Sequence, residues 1–259
     1  MSTQVEKAQN LARLHAAPEI LRVPNVWDVV SAKAIAALPE TRAIATAGHS
    51  IAATFGYADG EKIPLELMLD MVGRIVEAVG DLPVSADLDA GYGNAGETVR
   101  RAIGVGVVGA NVEDRLKPLP EAVAAVEAII AAGEAEGVPF VLNARTDAII
   151  RGGDRPVEAS VADAIERGRA YLDAGADLVF VPGRVNADVA RQLVDGLGER
   201  KVSVIGVPGA LRASEYEALG VARISYGPTT QRVALTALQD VAIDLYRDGV
   251  IPATIRSLN

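Results

Sequence analysis

Val84-Ser85-Ala86-Asp87-Leu88-Asp89-Ala90-Gly91-Tyr92-Gly93-Asn94 is the stretch on which the fold turns. It opens as an apolar strand, Val84–Leu88, and runs into a polar, glycine-rich loop. Just before it, Leu65–Val79 has a helical period and is closed by Gly80. The same alternation of short β-branched run and amphipathic helix extends outward in both directions. Further strands are read at Ile20–Asn25, Arg42–Ala47, Gly109–Val112, Phe140–Ala144, Leu178–Val181, Val202–Val207 and Ala222–Tyr226. Several are almost continuously apolar, as parallel strands covered on both faces are. Helical stretches lie between them, among others at Glu121–Ala132, Val161–Ala174, Ala187–Leu197 and Arg232–Tyr246. Gly133, Gly175, Gly198 and Gly249 follow these stretches in the manner of helix-ending glycines. Eight strand–helix repeats predict an α/β chain folded as one (β/α)₈ TIM barrel. Residues 1–259 form the single domain, with a helix in 1–17 and a C-terminal helix and tail in 229–259. A doubly wound open sheet is the competing architecture, but it carries a glycine-rich loop after its first strand. Here Val26-Trp27-Asp28 stands in that place.

The 259 residues suit one barrel of this kind. Half are apolar and 23% are charged, enough to bury a large core without a staple. There is no cysteine, which excludes disulfides, thiolate metal sites and a cysteine nucleophile. The net charge of −9 argues against nucleic acid as a partner, since that binding rests on Lys and Arg at phosphates. Met1–Ala17 is polar, without the basic start and apolar run of a signal peptide. No stretch reaches the length of uncharged apolar residues that a membrane helix needs. The expectation is a cytoplasmic protein with neither membrane nor nucleic acid as partner.

In such a barrel the chemistry belongs at the C-terminal ends of the strands. Asp87 and Asp89 are two apart, so on an extended chain they point the same way. Two converging carboxylates repel, and a hard divalent cation, Mg²⁺ or Mn²⁺, removes that cost. The alternative is a solvated loop with helix-capping aspartates. The fourth strand ends in Glu113-Asp114-Arg115, a mouth carboxylate or a surface ion pair. The fifth ends in Arg145-Thr146-Asp147. Arg145 is a natural fork for a carboxylate, or else a partner for Asp147 or the mouth acids. After the second strand, Ala47-Gly48-His49 offers successive N–H groups for an anionic oxygen. His49 itself is either functional or structural, His15 reads as structural, and Asp59 reads as a turn residue. The glycines in Gly206–Gly209 and Gly227–Thr230 leave a phosphate site open as a further reading.

Taken in order, Ala86–Asn94, Val112-Glu113-Asp114 and Ala144-Arg145-Thr146-Asp147 resemble the isocitrate lyase/phosphoenolpyruvate mutase superfamily over about Asn25 to Gly249. The resemblance implies an Mg²⁺ site built from Asp59, Asp87, Asp89 and Glu113, partly through water. It implies that Arg145 and the backbone of Ala47, Gly48 and His49 bind the carboxylate and oxo groups of a 2-oxo-acid, with Trp27 flanking it. It also implies a homo-oligomer, dimer or tetramer, that exchanges a C-terminal helix. This chain ends soon after Arg232–Tyr246, which leaves little chain for such an exchange.

The departures redirect the chemistry. The lyases of that superfamily carry a Lys-[Lys/Arg]-Cys-Gly-His loop after the fourth strand, where this chain reads Arg115-Leu116-Lys117-Pro118-Leu119-Pro120. The longer Lys- and Asn-bearing loop of the mutases is missing as well, with Lys117 as a partial substitute. Val181-Pro182-Gly183 and Ile205–Pro208 lack the lyases' Glu and Asn. A substrate smaller than a tricarboxylate is expected. The reading is an Mg²⁺-dependent lyase or hydrolase that cleaves a C–C bond in an oxaloacetate-type acid through an enolate-like intermediate. Arg145, His49 and Tyr92 are the candidate catalytic groups, the last two or a metal-bound water supplying the proton. P–C bond chemistry and a non-catalytic 2-oxo-acid-binding barrel are the alternatives.

Overall fold

The computed structural model describes residues 2–258; Met1 and Asn259, the outermost residues of the expected N-terminal helix and C-terminal tail, lie outside the described residues. Among the described residues nine parallel strands form one sheet: β1 (Leu21–Val23), β2 (Asn25–Val26), β3 (Ile44–Thr46), β4 (Val84–Asp87), β5 (Gly109–Glu113), β6 (Val141–Arg145), β7 (Leu178–Val181), β8 (Val202–Ile205) and β9 (Arg223–Ser225). Their order is β1-β9-β8-β7-β6-β5-β4-β3-β2, so two chain neighbours stand at its opposite ends. Only Pro24 separates them. Proline has no N–H to donate to a ladder, and the strand changes partner there. Its first half pairs with β9 (Leu21↔Arg223), its second with β3 (Asn25↔Ala45). The two halves are one stave, the ring closes, and the fold is the expected TIM barrel. The first strand was expected unbroken over Ile20–Asn25; it is split at Pro24 and reaches Val26.

The helices are α1 (Gln4–Ala16), α2 (Val29–Ala36), α3 (Gly48–Thr54), α4 (Leu65–Val79), α5 (Ala95–Gly104), α6 (Leu119–Ala135), α7 (Val157–Asp173), α8 (Ala187–Leu197), α9 (Ala213–Ala218) and α10 (Thr229–Asp248). Gly80, Gly198 and Gly249 cap their helices as expected. Gly133 does not end a helix. It lies inside α6 because a Cβ there would meet Phe140 Cβ at 2.9 Å, so the glycine lets α6 press against the chain leading into β6. The short α3 begins at Gly48, a segment read from sequence only as a loop of N–H donors.

α1 is held by a capping box between Thr3 and Glu6 and stops the base of the barrel. Leu11 is fully buried, and a Cβ on Gly109 at the start of β5 would lie 2.8 Å from its Cδ2. His15, also buried there, is structural, and burial pushes its pKa well below the usual histidine value. At the other extreme stands α10. Of its 20 residues only Gln231 is buried, while Val233, Leu235, Leu238, Ile243 and Tyr246 face outward. Among the described residues no helix is long and apolar enough to cross a membrane.

Candidate active site

The C-terminal ends of the strands surround a cavity of about 640 Å³. Asp59, Asp87, Asp89, Glu113, Arg145 and His49 all line it, together with Asn25, Arg115 and an apolar wall that includes Phe180, Pro182, Ile205 and Val207. Trp27, Ala47, Gly48 and Tyr92, also expected at the site, are not among its lining residues. The loops here are unusual in backbone. Apart from Arg200, every described non-glycine residue with positive φ lies in them: Glu61, Asp89, Tyr92, Arg115 and Leu116. Such conformations cost energy and persist where the surroundings enforce them, commonly at functional sites.

Asp87 ends β4 and is half-buried. Its Oδ2 accepts the Gly48 N–H at 2.9 Å, and its own N–H donates to Thr46 Oγ1. A Cβ on Gly48 would sit 3.2 Å from that Oδ2, so the glycine permits the approach. The Gly48 N–H, expected to face the substrate, here donates to a carboxylate of the protein. Burial raises the Asp87 pKa, against the pull of Arg145 and of that N–H. Asp89, 8% exposed, is pushed up to about 8 by desolvation, then by Asp87, Asp59, Glu113 and Glu61. The Tyr92 hydroxyl donates to its Oδ2 at 3.5 Å, and burial and Asp89 raise the phenol's pKa. Asp59 is more open, 59% exposed in its side chain, with His49 Nδ1 at 3.5 Å from Oδ2.

The cationic half is as tightly drawn. Glu113 accepts Arg115 Nε at 2.9 Å on one oxygen and faces Arg145 NH1 at 2.9 Å on the other. Arg145 also donates from Nε to Asp147 Oδ1 at 2.8 Å, while Arg151 holds Oδ2 of that fully buried carboxylate. The guanidinium lies 6.0 Å from the Phe180 ring centroid. Both readings of Arg145 therefore coexist: it is paired within the protein and it faces the cavity. Asp114 proves structural, buried and accepting from Leu116 N–H, Asp147 N–H, Arg167 and the Tyr171 hydroxyl. Asn25 Oδ1 accepts the N–H groups of Tyr226 and Gly227, which removes one donor from the phosphate-site reading of that loop.

Glu61, Arg115 as a site residue and Asn25 escaped the sequence reading. Nothing in local spacing marks Glu61 or Asn25; only Arg115, beside Glu113, carried a signal. Among the described residues no group of three or more His, Cys, Asp or Glu side chains converges closely enough to hold a metal alone. Asp87 and Asp89 are the pair available, and their all-oxygen chemistry suits a hard cation that keeps several waters. The raised Asp89 pKa supports the fit, because the acidic cluster retains a proton that a cation would displace.

That proton makes stability depend on pH. The folded-state pKa of Asp89 lies above its ordinary 3.8, so the folded state binds more protons between there and about 8. Stability is then lost as pH rises through that window. In EDTA the melting temperature is expected to fall from about pH 5 to about pH 8, and Asp89→Asn to flatten that slope. A slope unchanged in Asp89→Asn refutes the assignment.

Fold and mouth together define a barrel enzyme with facing acidic and arginine halves. The phosphoenolpyruvate phosphomutase family model matches residues 11–246, and the chain belongs to that family, within the phosphoenolpyruvate mutase/isocitrate lyase superfamily. It is 31% identical to a Corynebacterium glutamicum protein named probable 2-methylisocitrate lyase 2, over 95% of this chain and 82% of that one. It is 30% identical to the oxaloacetate decarboxylase of Paraburkholderia xenovorans, over 90% of this chain and 80% of that one. The structure of an oxaloacetate acetylhydrolase with its product oxalate superposes with a TM-score of 0.85, at 26% identity, covering 97% of this chain and 91% of that one. The relatives are named as lyases, a decarboxylase, a hydrolase and mutases, and the resemblance read from the Asp87–Asn94 loop is borne out.

Proposed function

We propose that the chain is a cytoplasmic, single-domain, Mg²⁺- or Mn²⁺-dependent lyase or hydrolase that cleaves a C–C bond in a small 2-oxo-dicarboxylate of the oxaloacetate type. The observation that carries this reading is the convergence of Asp87 and Asp89 with Arg145 on one cavity. Asp87 and Asp89 would hold the cation, with Asp59 and Glu113 joining through water. When bound, the cation would polarise the 2-oxo-acid and stabilise negative charge developing on the fragment that departs as an enolate. Arg145 would bind the substrate carboxylate. Its Nε is fixed on buried Asp147, while NH1 is free to exchange Glu113 for the substrate. The candidate proton donors are His49, which lines the cavity beside Asp59, and Tyr92, which is kept protonated by burial and reaches the site only through Asp89. The names of two relatives, one an oxaloacetate decarboxylase and one an oxaloacetate acetylhydrolase, support the substrate class.

The test is Mg²⁺-dependent consumption of oxaloacetate, with pyruvate marking decarboxylation and oxalate marking hydrolysis. Product formed equally well in EDTA would sink the proposal. The family's own name favours a second reading, cleavage or migration at a P–C bond. Loss of the phosphonate signal of phosphonopyruvate in phosphorus NMR, without turnover of oxaloacetate, would decide for it.

The reading extends to a homo-oligomer, dimer or tetramer, for which the outward apolar side chains of α10 give the physical reason. Sedimentation is expected to show a dimer or larger, and Leu238→Glu, at a position 62% exposed, to shift it toward monomer. A wild-type monomer at micromolar concentration would refute this.

A further inference from the structure

Asp59-Gly60-Glu61 makes a sharp local reversal. Gly60 has φ +82° and Glu61 +67°, two successive left-handed residues, the second without glycine's freedom. The consequence is that neighbouring acids face different ways. Asp59 stays 59% exposed in its side chain, while Glu61 is folded in and only 17% exposed. Its Oε1 accepts two N–H groups of the loop after β4, Ala90 at 3.1 Å and Tyr92 at 2.6 Å. Those N–H groups flank a backbone that is itself left-handed at Asp89, Gly91 and Tyr92, and a single carboxylate oxygen satisfies both. Glu61 Oε2 pairs with Arg115 NH1 at 3.0 Å, and Arg115 Nε continues to Glu113. One carboxylate thus joins the loops after α3, β4 and β5, which carry Asp59, Asp89 and the Arg115–Glu113 pair.

We propose that Glu61 is a positioning residue: it ties the loop of Asp59 to the loop of Asp89 and so sets how the site's carboxylates face one another. It does not line the cavity as those acids do. The inference rests on the reading of Asp87 and Asp89 as cation ligands, and deepens it. The tie to the Asp89 loop runs through Oε1 and the two N–H groups and depends on the reach of the side chain, whereas the Arg115 pair depends on its charge; two conservative variants separate the two. Glu61→Gln keeps an oxygen at the same reach for both N–H groups but turns its NH2 toward Arg115, so it loses that ion pair and keeps the tie to the Asp89 loop. Glu61→Asp keeps the charge but is shorter by one C–C bond, about 1.5 Å, and cannot reach them.

Mn²⁺ binding to the full chain, read from the EPR signal of free Mn²⁺, provides the comparison. Glu61→Asp is expected to weaken binding by about 10- to 100-fold, the usual effect of losing a group that orients metal ligands, and Glu61→Gln by clearly less. The reverse order would mean that Glu61 acts only as a nearby negative charge, and would overturn the proposal. Amide hydrogen exchange in metal-free protein gives an independent reading. The segment 88–93 is expected to exchange faster in Glu61→Asp and at the wild-type rate in Glu61→Gln. Should wild type bind no Mn²⁺, the metal reading fails, and exchange alone decides the tie: unchanged exchange in Glu61→Asp overturns it.

Discussion

Asp87→Ala is expected to reduce cleavage of the 2-oxo-acid by about three orders of magnitude, with little loss of fold. Three decades correspond to about 4 kcal/mol of transition-state stabilisation, within the several kcal/mol that a polarising cation supplies. The asymmetry between activity and stability follows from the surroundings. Asp87 is half-buried, and desolvation raises its pKa, so its charge in the metal-free protein opposes folding. Removing it leaves the Gly48 N–H without its acceptor, at a cost of about 1–3 kcal/mol, but also relieves repulsion on Asp89. Urea unfolding in EDTA should therefore show a small change in midpoint, while Mg²⁺ no longer stabilises the variant. An Asp87→Ala protein that turned over at the wild-type rate would remove the carboxylate pair from the chemistry.

Asp114→Ala is expected to have the opposite profile, a large loss of stability. Its carboxylate, 3% exposed, is the common acceptor for the Leu116 and Asp147 N–H groups, the Arg167 guanidinium and the Tyr171 hydroxyl. Truncation leaves the Leu116 and Asp147 N–H groups and the buried Tyr171 phenol without their acceptor, while Arg167 keeps Asp163 at 2.9 Å and the Lys117 carbonyl. Each buried donor left without an acceptor costs about 1–3 kcal/mol. At about 2–4 °C per kcal/mol for a chain near this size, the melting temperature should fall by roughly 10 °C. Asp114→Asn, which keeps an acceptor oxygen, should recover part of that loss. A change in melting temperature within error for the alanine variant would show that the network contributes nothing.

The contrast between these adjacent acidic strand ends shows what a sequence discloses. Parallel strands covered on both faces read as apolar runs, so β4 to β8 stood out, and the residue that follows such a run is at the mouth by geometry alone. Asp87, Asp89, Glu113 and Arg145 were legible for that reason. Asp114 was not, because its burial depends on Tyr171, 57 residues away. Glu61 was not, because its partners are 29 and 31 residues on, in another loop, and an isolated acid after glycine looks like any turn. Gly48 was recognised as an N–H donor to an anionic oxygen, but which oxygen comes close is a tertiary fact. The break at Pro24 was in plain view, yet the exchange of partners it produces appears only when β9 lies alongside β1.

That exchange bears on the order of assembly. While the chain is being made, the growing sheet has two free edges, and the split first strand can pair through its second half alone. Its other half has no partner until β9, about two hundred residues later, has emerged. Asn25 receives the Tyr226 N–H across a separation of 201 residues, so this part of the mouth forms only when the ring is sealed. Contacts so distant in sequence are the slowest kind to find. The catalytic face is thus assembled from both ends of the chain, and an unfinished barrel would present its edges before it had a working site.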